Sequence, residues 1–282
     1  MFTLAIENHL GERVELTNNP DYTVTRMDGI SPPTANINTG ENANFDGSIF
    51  NSSKLNNRNI VIELFLERDA EASRINLYKY VKVKKACVVY YKNGLRDVKI
   101  AGYVENLDAD PFALKEAVQI SIICPYPYYS SVADLTENFS DEEPLFEFPM
   151  DIYENGVEFS RVILSDQTVV TNGGDVECGM IIEFRAFGDV VNPSIYNAET
   201  AAGMKINKTL YDGDVLRICT IKGQKSIVYI HNGVQSNALN SLDRASVWLT
   251  LESGDNVIAY TADSGESDLV CALTYNTLFE GV

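Results

Sequence analysis

Short segments in which apolar and polar residues alternate recur along the whole chain, and they restrict its fold more than any other feature. Arg58–Leu66 is the clearest, with Ile60, Ile62 and Leu64 on one face. Turn sequences rich in Gly, Asn and Asp separate many of these segments. Because successive side chains of a strand point to opposite faces, the pattern predicts a mainly β protein.

One stretch, residues 69–82, is the good helix candidate in the chain. Asp69 can cap its N-terminus, Glu71 falls in the first turn, and Lys79 and Lys82 fall in the last turn. Acidic residues at the start and basic residues at the end suit the helix dipole. We therefore expect a single helix among the strands.

The chain has 282 residues, more than one typical core needs, so two domains are expected. Residues 130–149 contain a serine pair, an acidic run and two prolines, which indicates the boundary. The sequence predicts a first domain at 1–135, a linker at 136–150 and a second domain at 151–282. About eight short strands without a helix signal predict a two-sheet jelly-roll sandwich for the second domain; they are Phe159 to Leu164, Cys178 to Phe187, Met204 to Ile206, Val215 to Ile221, Ser226 to Ile230, Ser246 to Leu251, Val257 to Thr261 and Leu269 to Tyr275.

The net charge of −18 is unevenly spread. Residues 1–135 carry 14 basic and 17 acidic side chains, whereas residues 136–282 carry 8 basic and 23 acidic ones. Such an acidic second half repels phosphate backbones and disfavours sequence-specific nucleic-acid binding. Solubility alone is a sufficient explanation of the acidic excess.

A basic cluster interrupts the acidic background in the first half, interleaved with tyrosines. It has three interpretations: a nucleic-acid surface, a solvated face, and a patch complementary to an acidic face of a neighbouring copy. The solvated face is favoured because the surrounding half is still net acidic. The cluster consists of Lys79, Lys82, Lys84, Lys85, Lys92, Arg96 and Lys99.

The residues do not indicate catalysis or a metal site. The two histidines, His9 and His231, lie far apart, and His231 directly precedes an Asn-Gly turn, so a surface turn histidine is expected. Turn chemistry explains the acidic sequences Asp212-Gly-Asp214 and Gly254-Asp-Asn256 better than calcium binding does. The motifs GxxxxGK[ST], HExxH and GxSxG do not occur. We expect no enzyme, cofactor or bound metal.

The five cysteines are widely spaced in apolar surroundings, with no CxxC pair, and are expected to be buried and unpaired. The first residues show no basic region of a signal peptide, and no apolar run reaches about 18 residues. The sequence therefore predicts synthesis in, and initial retention by, a cytoplasm, without membrane insertion.

A long polar stretch follows a stiff turn in the first quarter of the chain. Asp28-Gly29 closes a turn, and Pro32-Pro33 stiffens the segment that follows. Residues 36–57 are rich in Asn, Gly, Ser and Thr and include the turn Asp46-Gly47 before Arg58 begins the next strand. Such a long loop in an ordered domain indicates an interaction arm.

These turns and strands, taken in order, resemble the distal tail protein family of tailed bacteriophages and related prophages, and the resemblance covers essentially the whole chain. The residues that carry it are Asp28-Gly-Ile-Ser-Pro-Pro33, Asp46-Gly47, Asn57-Arg-Asn-Ile-Val-Ile62, Cys124-Pro-Tyr-Pro-Tyr128, Phe146-Glu-Phe-Pro149, Glu158-Phe-Ser160, Asn172-Gly-Gly-Asp175, Gly213-Asp-Val-Leu-Arg-Ile218, Gly223-Gln-Lys-Ser-Ile227 and Trp248-Leu-Thr-Leu-Glu-Ser-Gly-Asp-Asn256.

The resemblance implies a β-barrel-like N-terminal domain with one helix and a galectin-like jelly-roll β-sandwich behind it. It implies a ring of six copies, single or stacked, at the tip of a virion tail. The implied partners are the tail tube protein, the end of the tape-measure protein, and tail-associated and receptor-binding proteins. Asp28, Gly29, Pro32, Pro33, Asp46, Gly47 and Arg58 are then structural residues that set the angle at which the arm leaves its domain.

Two other functions compete with a tail adaptor. A galectin-like sandwich could bind cell-wall glycans, with Trp248 as the stacking platform. However, Ser246 to Leu251 alternates like a core strand, which favours a buried Trp248. A metal-dependent glycan hydrolase is the weaker rival, since the near absence of histidine opposes it.

Overall fold

A computed structural model describes residues 2–41, 46–144, 160–164 and 167–282, with side chains described for all of these except 140–144 and 160–164. The chain forms two compact units: unit 1 is Met1–Val132 with Leu278–Val282, and unit 2 is Ala133–Thr277. The sequence assigned the last five residues to the second domain. The structure groups them with unit 1, because Leu278 and Phe279 pair with the backbone of Ser130 and Tyr129.

In its described residues, unit 1 contains one α-helix and ten strands before the chain enters unit 2. They are β1 (Thr3–Asn8), β2 (Arg13–Glu15), β3 (Tyr22–Asp28), β4 (Ala35–Glu41), β5 (Ser48–Leu55), β6 (Arg58–Leu66), α1 (Ala70–Tyr80), β7 (Ala86–Lys92), β8 (Asp97–Ala109), β9 (Ala117–Cys124) and β10 (Tyr129–Ser131).

Most strands of unit 1 join one sheet in the order β2-β1-β7-β8-β9-β6-β3, and β10 pairs with β8 beside that path. Every pairing in it is antiparallel. In β6 the side chains of Arg58, Ile60, Ile62, Leu64 and Leu66 are all buried and alternate with more exposed ones. This period of two confirms the predicted strand and its apolar face.

The predicted helix is also confirmed. The Asp69 carboxylate accepts a hydrogen bond from the Ala72 amide at 3.2 Å, Glu71 lies in the first turn and Lys79 in the last. Leu77 and Val81 are buried in the core of unit 1 and hold the helix against it. The helix ends at Tyr80, two residues before the expected end.

Unit 2 is built from strands alone, apart from two short 3₁₀ turns at Leu239–Ser241 and Glu266–Asp268, within the part of the chain that the structure describes. Its strands are β11 (Leu135–Asn138), β12 (Ser140–Pro144), β13 (Ser160–Leu164), β14 (Gln167–Asn172), β15 (Met180–Ala186), β16 (Val190–Val191), β17 (Ser194–Asn197), β18 (Gly203–Lys205), β19 (Thr209–Leu210), β20 (Val215–Cys219), β21 (Ser226–His231), β22 (Val234–Asn237), β23 (Gly254–Thr261) and β24 (Leu269–Tyr275). The chain then returns to unit 1 as β25 (Leu278–Phe279).

Two sheets dominate unit 2, with orders β11-β24-β15-β20-β21-β22 and β14-β23-β17-β18. Phe184 of the first sheet and Tyr260 of the second meet with ring centroids 6.2 Å apart, and both rings are buried. The two sheets therefore share a core, as in a β-sandwich. The mainly β fold with one α-helix is confirmed, whereas the galectin-like description stays a prediction.

Two local predictions differ from the structure, at residues 36–57 and 246–250, and the turn at Asn93-Gly94 has an uncommon backbone. Residues 36–57 were expected to form a turn-bearing loop, but most of them form the hairpin β4–β5. The β7–β8 hairpin closes at Asn93-Gly94 without a positive φ at either residue, because the Asn93 side chain accepts hydrogen bonds from the amides of Leu95 and Arg96. Residues 246–250 form no strand, because their backbone joins its neighbours through isolated contacts such as the one from the Val247 amide to Gly203 O.

Four of the five cysteines are buried, and Cys219 is half-buried. The edge strand considered at Leu145 to Phe148, and Phe159 of the next predicted strand, lie outside the described residues. None of the helices in the described ranges has the length and apolar character that a membrane crossing requires.

Candidate functional site

Arg58 organises the region from which the arm leaves unit 1. It begins β6, is 2 % exposed, and donates to four backbone carbonyls. Its Nε donates to Pro127 O at 2.7 Å, and its Nη1 donates to Ser31 O at 2.7 Å. The guanidinium also donates to Gly29 O and Glu280 O. One buried cation therefore holds three separate segments together.

Tyr129 completes this anchor. Its ring lies 4.7 Å from the Arg58 guanidinium carbon, and its hydroxyl donates to Gly29 O at 3.0 Å. Burial raises the pKa of Tyr129 well above its ordinary value, although the Arg58 charge opposes the shift. The phenol consequently remains a neutral hydrogen-bond donor at all physiological pH values.

Gly29 is required by its backbone and by its surroundings. Its φ is +91°, and a Cβ built there would lie 2.6 Å from Asn59 O. The neighbouring Asp28 instead points outward and pairs with Arg26 at 3.0 Å, both side chains being about half exposed. The turn therefore depends on the glycine much more than on the aspartate.

The chain end is fastened beside the same turn. The Val282 amide donates to Ile30 O at 3.1 Å, and Arg96 donates to Gly281 O. A Cβ at Gly281 would lie 3.1 Å from Pro32 Cδ, so the tail packs closely on the first proline of the stiff segment. The turn at Gly29, the start of β6 and residues 280–282 are thus held together, and we call this cluster the Arg58 anchor.

The arm, defined as β4 and β5, forms a two-stranded sheet separate from the main sheet. The Asn56 amide donates to Thr34 O at 2.9 Å and closes its base. Most of its side chains are exposed, including the apolar ones of Ile37, Ile49 and Phe50 at 61 %, 48 % and 62 %. Exposed apolar side chains on a hairpin with free edges are typical of an interaction surface.

The structure brings together some of the predicted site residues and separates others. Gly29, Pro32 and Arg58 meet in the anchor. Pro33 is half-buried and leads into β4, while Asp46 and Gly47 lie exposed before β5. Tyr129, Arg96 and the backbone carbonyls of Glu280 and Gly281 were not identified from the sequence as parts of this cluster. Only the neighbouring run Cys124-Pro-Tyr-Pro-Tyr128 hinted at Tyr129.

A second polar centre lies in unit 2, around Asp214, which is 1 % exposed. Its carboxylate accepts from the Tyr211 amide at 2.9 Å and from the Tyr229 hydroxyl at 2.6 Å, and it pairs with His231 Nδ1 at 2.6 Å. Burial opposes ionisation of Asp214, but these three bonds together hold its pKa below the ordinary value. Burial and the bond to Asp214 raise the pKa of Tyr229 to about 12.

This centre is a structural link between the turn before β20 and the end of β21. His231 is half exposed, as expected for a turn residue, but its bond to Asp214 was not predicted. Asn232 and Gly233, with φ values of 49° and 78°, form the expected tight turn beside it. Among the described residues, no group of three or more His, Cys, Asp and Glu side chains could hold a metal ion.

Trp248 is half-buried, not buried in a strand as predicted. The Lys225 ammonium lies 5.1 Å from its ring centroid. Lys225 also lines an open cavity of about 280 Å³, together with polar residues such as Gln235 and Asn237 and apolar residues such as Leu239. Part of the indole therefore remains available near a depression of mixed polarity.

Comparison with known proteins gives the family context. Residues 173–279 match the model of the siphovirus-type tail component, C-terminal domain. This match confirms the predicted resemblance. The matched family consists of tail components, in agreement with the expectation that the chain is not an enzyme. No curated protein sequence matches the chain.

Three solved structures extend the comparison to the full fold. The crystal structure of phage SPP1 Dit, described as a paradigm of the hub adsorption apparatus in phages that infect Gram-positive bacteria, is 13 % identical, with a TM-score of 0.70 over 99 % of both chains. A phage P2 baseplate in its activated conformation with Ca is 8 % identical, with a TM-score of 0.55 over 97 % of this chain and 98 % of that one. The phage p2 baseplate in its activated conformation with Sr is 9 % identical, with a TM-score of 0.53 over 97 % of this chain and 98 % of that one. At these identities the likenesses show the fold.

Proposed function

We propose that the chain is a structural distal tail protein, or baseplate hub, of a bacteriophage or prophage. It forms a hexameric ring that joins the tail tube and the tape-measure end to tail-tip, tail-associated and receptor-binding proteins. The observation that carries the proposal is the end-to-end fold agreement with the SPP1 hub protein, over 99 % of both chains. The match of residues 173–279 to a tail-component family supports it independently.

The arm supports ring formation. A cyclic ring needs two different surfaces on each copy, because every copy contacts its neighbours head to tail. The arm carries exposed Ile37, Ile49 and Phe50 and pairs with no further strand among the described residues, so it suits a contact with the next copy. The Arg58 anchor fixes the backbone just before and just after the arm and so sets its direction.

This function places the protein at the tip of the virion tail, after synthesis in the cytoplasm of the bacterial host. It acts by geometry, without cofactor, metal or sequence-specific contact to nucleic acid. The net charge of −18 suits a channel that must not retain passing DNA. One ring and two stacked rings are both compatible with the proposal.

Light scattering after size exclusion, combined with negative-stain microscopy, tests the ring. The wild-type chain should form closed rings with six copies. Replacing the three exposed apolar arm residues together, Ile37→Ser, Ile49→Ser and Phe50→Ser, should leave folded, smaller species. Val169→Ser is the matched control, since Val169 is 57 % exposed in unit 2. A wild-type chain that stays monomeric at high concentration would contradict the proposal.

Glycan binding by unit 2 is a second candidate function, favoured by the half-buried Trp248 beside the depression at Lys225. An exposed indole face stacks on sugar rings, and amide side chains hydrogen-bond to their hydroxyl groups. Pull-down with cell-wall polysaccharide should then depend on Trp248, and Trp248→Ala should abolish it without unfolding unit 2. Hexamers that bind no glycan would favour the adaptor function alone.

A further inference from the structure

We propose that the loop between β8 and β9 docks onto the lysine-rich end of α1 in a second copy of this chain. The proposal rests on the ring proposed above and names one of its contacts. We call residues 110–116 the tip loop. The receiving surface, called the lysine patch, comprises the exposed residues of 75–85 at the C-terminal part of α1 and the turn that follows.

The tip loop displays two apolar side chains to solvent. Phe112 and Leu114 are both almost fully exposed. The loop is shaped by Asp110, whose carboxylate accepts from the Phe112 amide at 3.2 Å and whose carbonyl accepts from the Ala113 amide at 3.4 Å. Displaying two large apolar residues on a shaped loop is costly unless a partner covers them.

Ion pairs hold the base of the tip loop. Glu116 is 8 % exposed and pairs with Arg74 at 2.6 Å, and Lys115 pairs with Glu67 at 2.9 Å. In each of these two pairs, the positive and the negative charge cancel. The remaining carboxylates near the tip, Asp108 and Asp110, are exposed, so Phe112 and Leu114 are flanked by negative charge.

The lysine patch has the opposite character. Ile75, Tyr78 and Val83 are 51 %, 44 % and 47 % exposed. Four exposed or partly exposed ammonium groups surround these apolar side chains in the sequence, from Lys79, Lys82, Lys84 and Lys85. The lysine patch thus offers exposed apolar side chains together with positive charge, and this composition complements a tip loop that offers exposed apolar side chains together with negative charge.

The exposure values require two copies for this contact. Phe112 and Leu114 are almost fully exposed within one copy, and Ile75, Tyr78 and Val83 are about half exposed, so the loop does not cover the patch of its own chain. Nucleic acid is a poor occupant of the lysine patch because the chain as a whole carries a net charge of −18. The tip loop of a second copy supplies the complementary charge together with exposed apolar side chains.

A charge exchange tests the contact in the full chain. The tip variant is Asp108→Lys with Asp110→Asn, which keeps a side-chain acceptor for the Phe112 amide. The patch variant is Lys82→Glu with Lys85→Glu. Each alone should raise the concentration needed for ring assembly at least tenfold. A 1:1 mixture should restore rings in which the two variants alternate. The positive tip of the tip variant then faces the negative patch of the patch variant, and the wild-type tip of the patch variant faces the wild-type patch of the tip variant.

A second pair of variants tests the apolar part. Phe112→Ser with Leu114→Ser should weaken assembly, whereas Leu95→Ser should not, although Leu95 is 97 % exposed on the β7–β8 turn. Circular dichroism should show that all variants are folded, since every changed side chain is exposed.

The outcomes separate this contact from the ring itself. Rings formed equally well by the tip and patch variants would overturn the contact and leave the ring standing. Loss of rings in both variants without recovery on mixing would also overturn it. A wild-type chain that forms no rings would overturn the ring and the contact together.

Discussion

Replacement of Arg58 by alanine should destabilise unit 1 strongly, because the guanidinium serves four carbonyl oxygens in a buried position. Gly29 O keeps its bond from the Tyr129 hydroxyl, so the loss falls mainly on the carbonyls of Ser31, Pro127 and Glu280. A hydrogen bond from a charged group contributes about 1.5–3 kcal/mol, and less where water can replace it.

Only the bond to Pro127 O is fully buried, and the others are partly buried. Counting about 2 kcal/mol for that bond, about 1 kcal/mol for the other carbonyls together and about 1 kcal/mol for stacking on Tyr129 gives about 4 kcal/mol. This agrees with the ~3–5 kcal/mol typical of a broken buried charged contact. With a urea m-value near ~2 kcal/mol/M, the midpoint for unit 1 should fall by about 2 M.

The single tryptophan makes the assay specific. Trp248 lies in unit 2, so its fluorescence reports unfolding of that unit, whereas hydrogen exchange along β6 and at the Val282 amide reports unit 1. Arg58→Ala should shift only the unit 1 signals. Arg26→Ala is the control, because Arg26 pairs with Asp28 at the solvent-exposed surface, so its removal should leave the unit 1 midpoint nearly unchanged. A loss below about 1 kcal/mol for Arg58→Ala would refute the anchor.

Three further perturbations address the turn, the chain end and the Asp214 centre. Gly29→Val should destabilise unit 1 by about 3 kcal/mol or block ring assembly, because φ is +91° and Asn59 O occupies the space for a Cβ; intact, soluble rings seen by microscopy would contradict this. Removing residues 278–282 should lower the free energy of unfolding of unit 1 by about 3 kcal/mol, since Leu278 is 9 % exposed and the anchor loses acceptors; unchanged thermal melting would refute it. Asp214→Asn should lower the pKa of Tyr229 from about 12, and titration monitored by phenolate absorbance measures this shift. The same change should make the free energy of unfolding of unit 2 depend less on pH in the acid range. The Asp214 pKa is lower in the folded state, so ionised Asp214 stabilises unit 2 above the ordinary carboxyl pKa. In the wild-type chain that contribution disappears as pH falls through the pKa of the folded state. An unaltered pH profile in Asp214→Asn would rule this out.

Local rules account for the elements that the sequence predicted well. β6 was recognised because burial on one face imposes a period of two, and α1 because Asp69, Glu71 and Lys79 mark its two ends. At Asn93-Gly94 the chain forms the β7–β8 hairpin without a left-handed backbone, because the Asn93 side chain accepts hydrogen bonds from two amides. The same rules failed near Trp248, where alternation did not lead to strand pairing.

The candidate site could be predicted only in part. Gly29 and Arg58 were recognised as structural residues from their place in the turn and strand, but Asp28 was grouped with them only because it adjoins Gly29. The arm was recognised from its length and polarity, yet its hairpin form was not, because Asn- and Ser-rich strands lack the apolar alternation that marks a strand.

The sequence alone determined the strand-rich character of the chain, its single α-helix, the buried face of β6 and the presence of an arm, because each depends on neighbouring residues. Only the tertiary structure decided which groups Arg58 binds and that residues 278–282 join unit 1. The acceptors of Arg58 are backbone carbonyls from Ser31 and Glu280, which lie 27 and 222 positions away in the chain. Every residue has such a carbonyl, so no side-chain pattern could show which of them the fold would bring to the guanidinium.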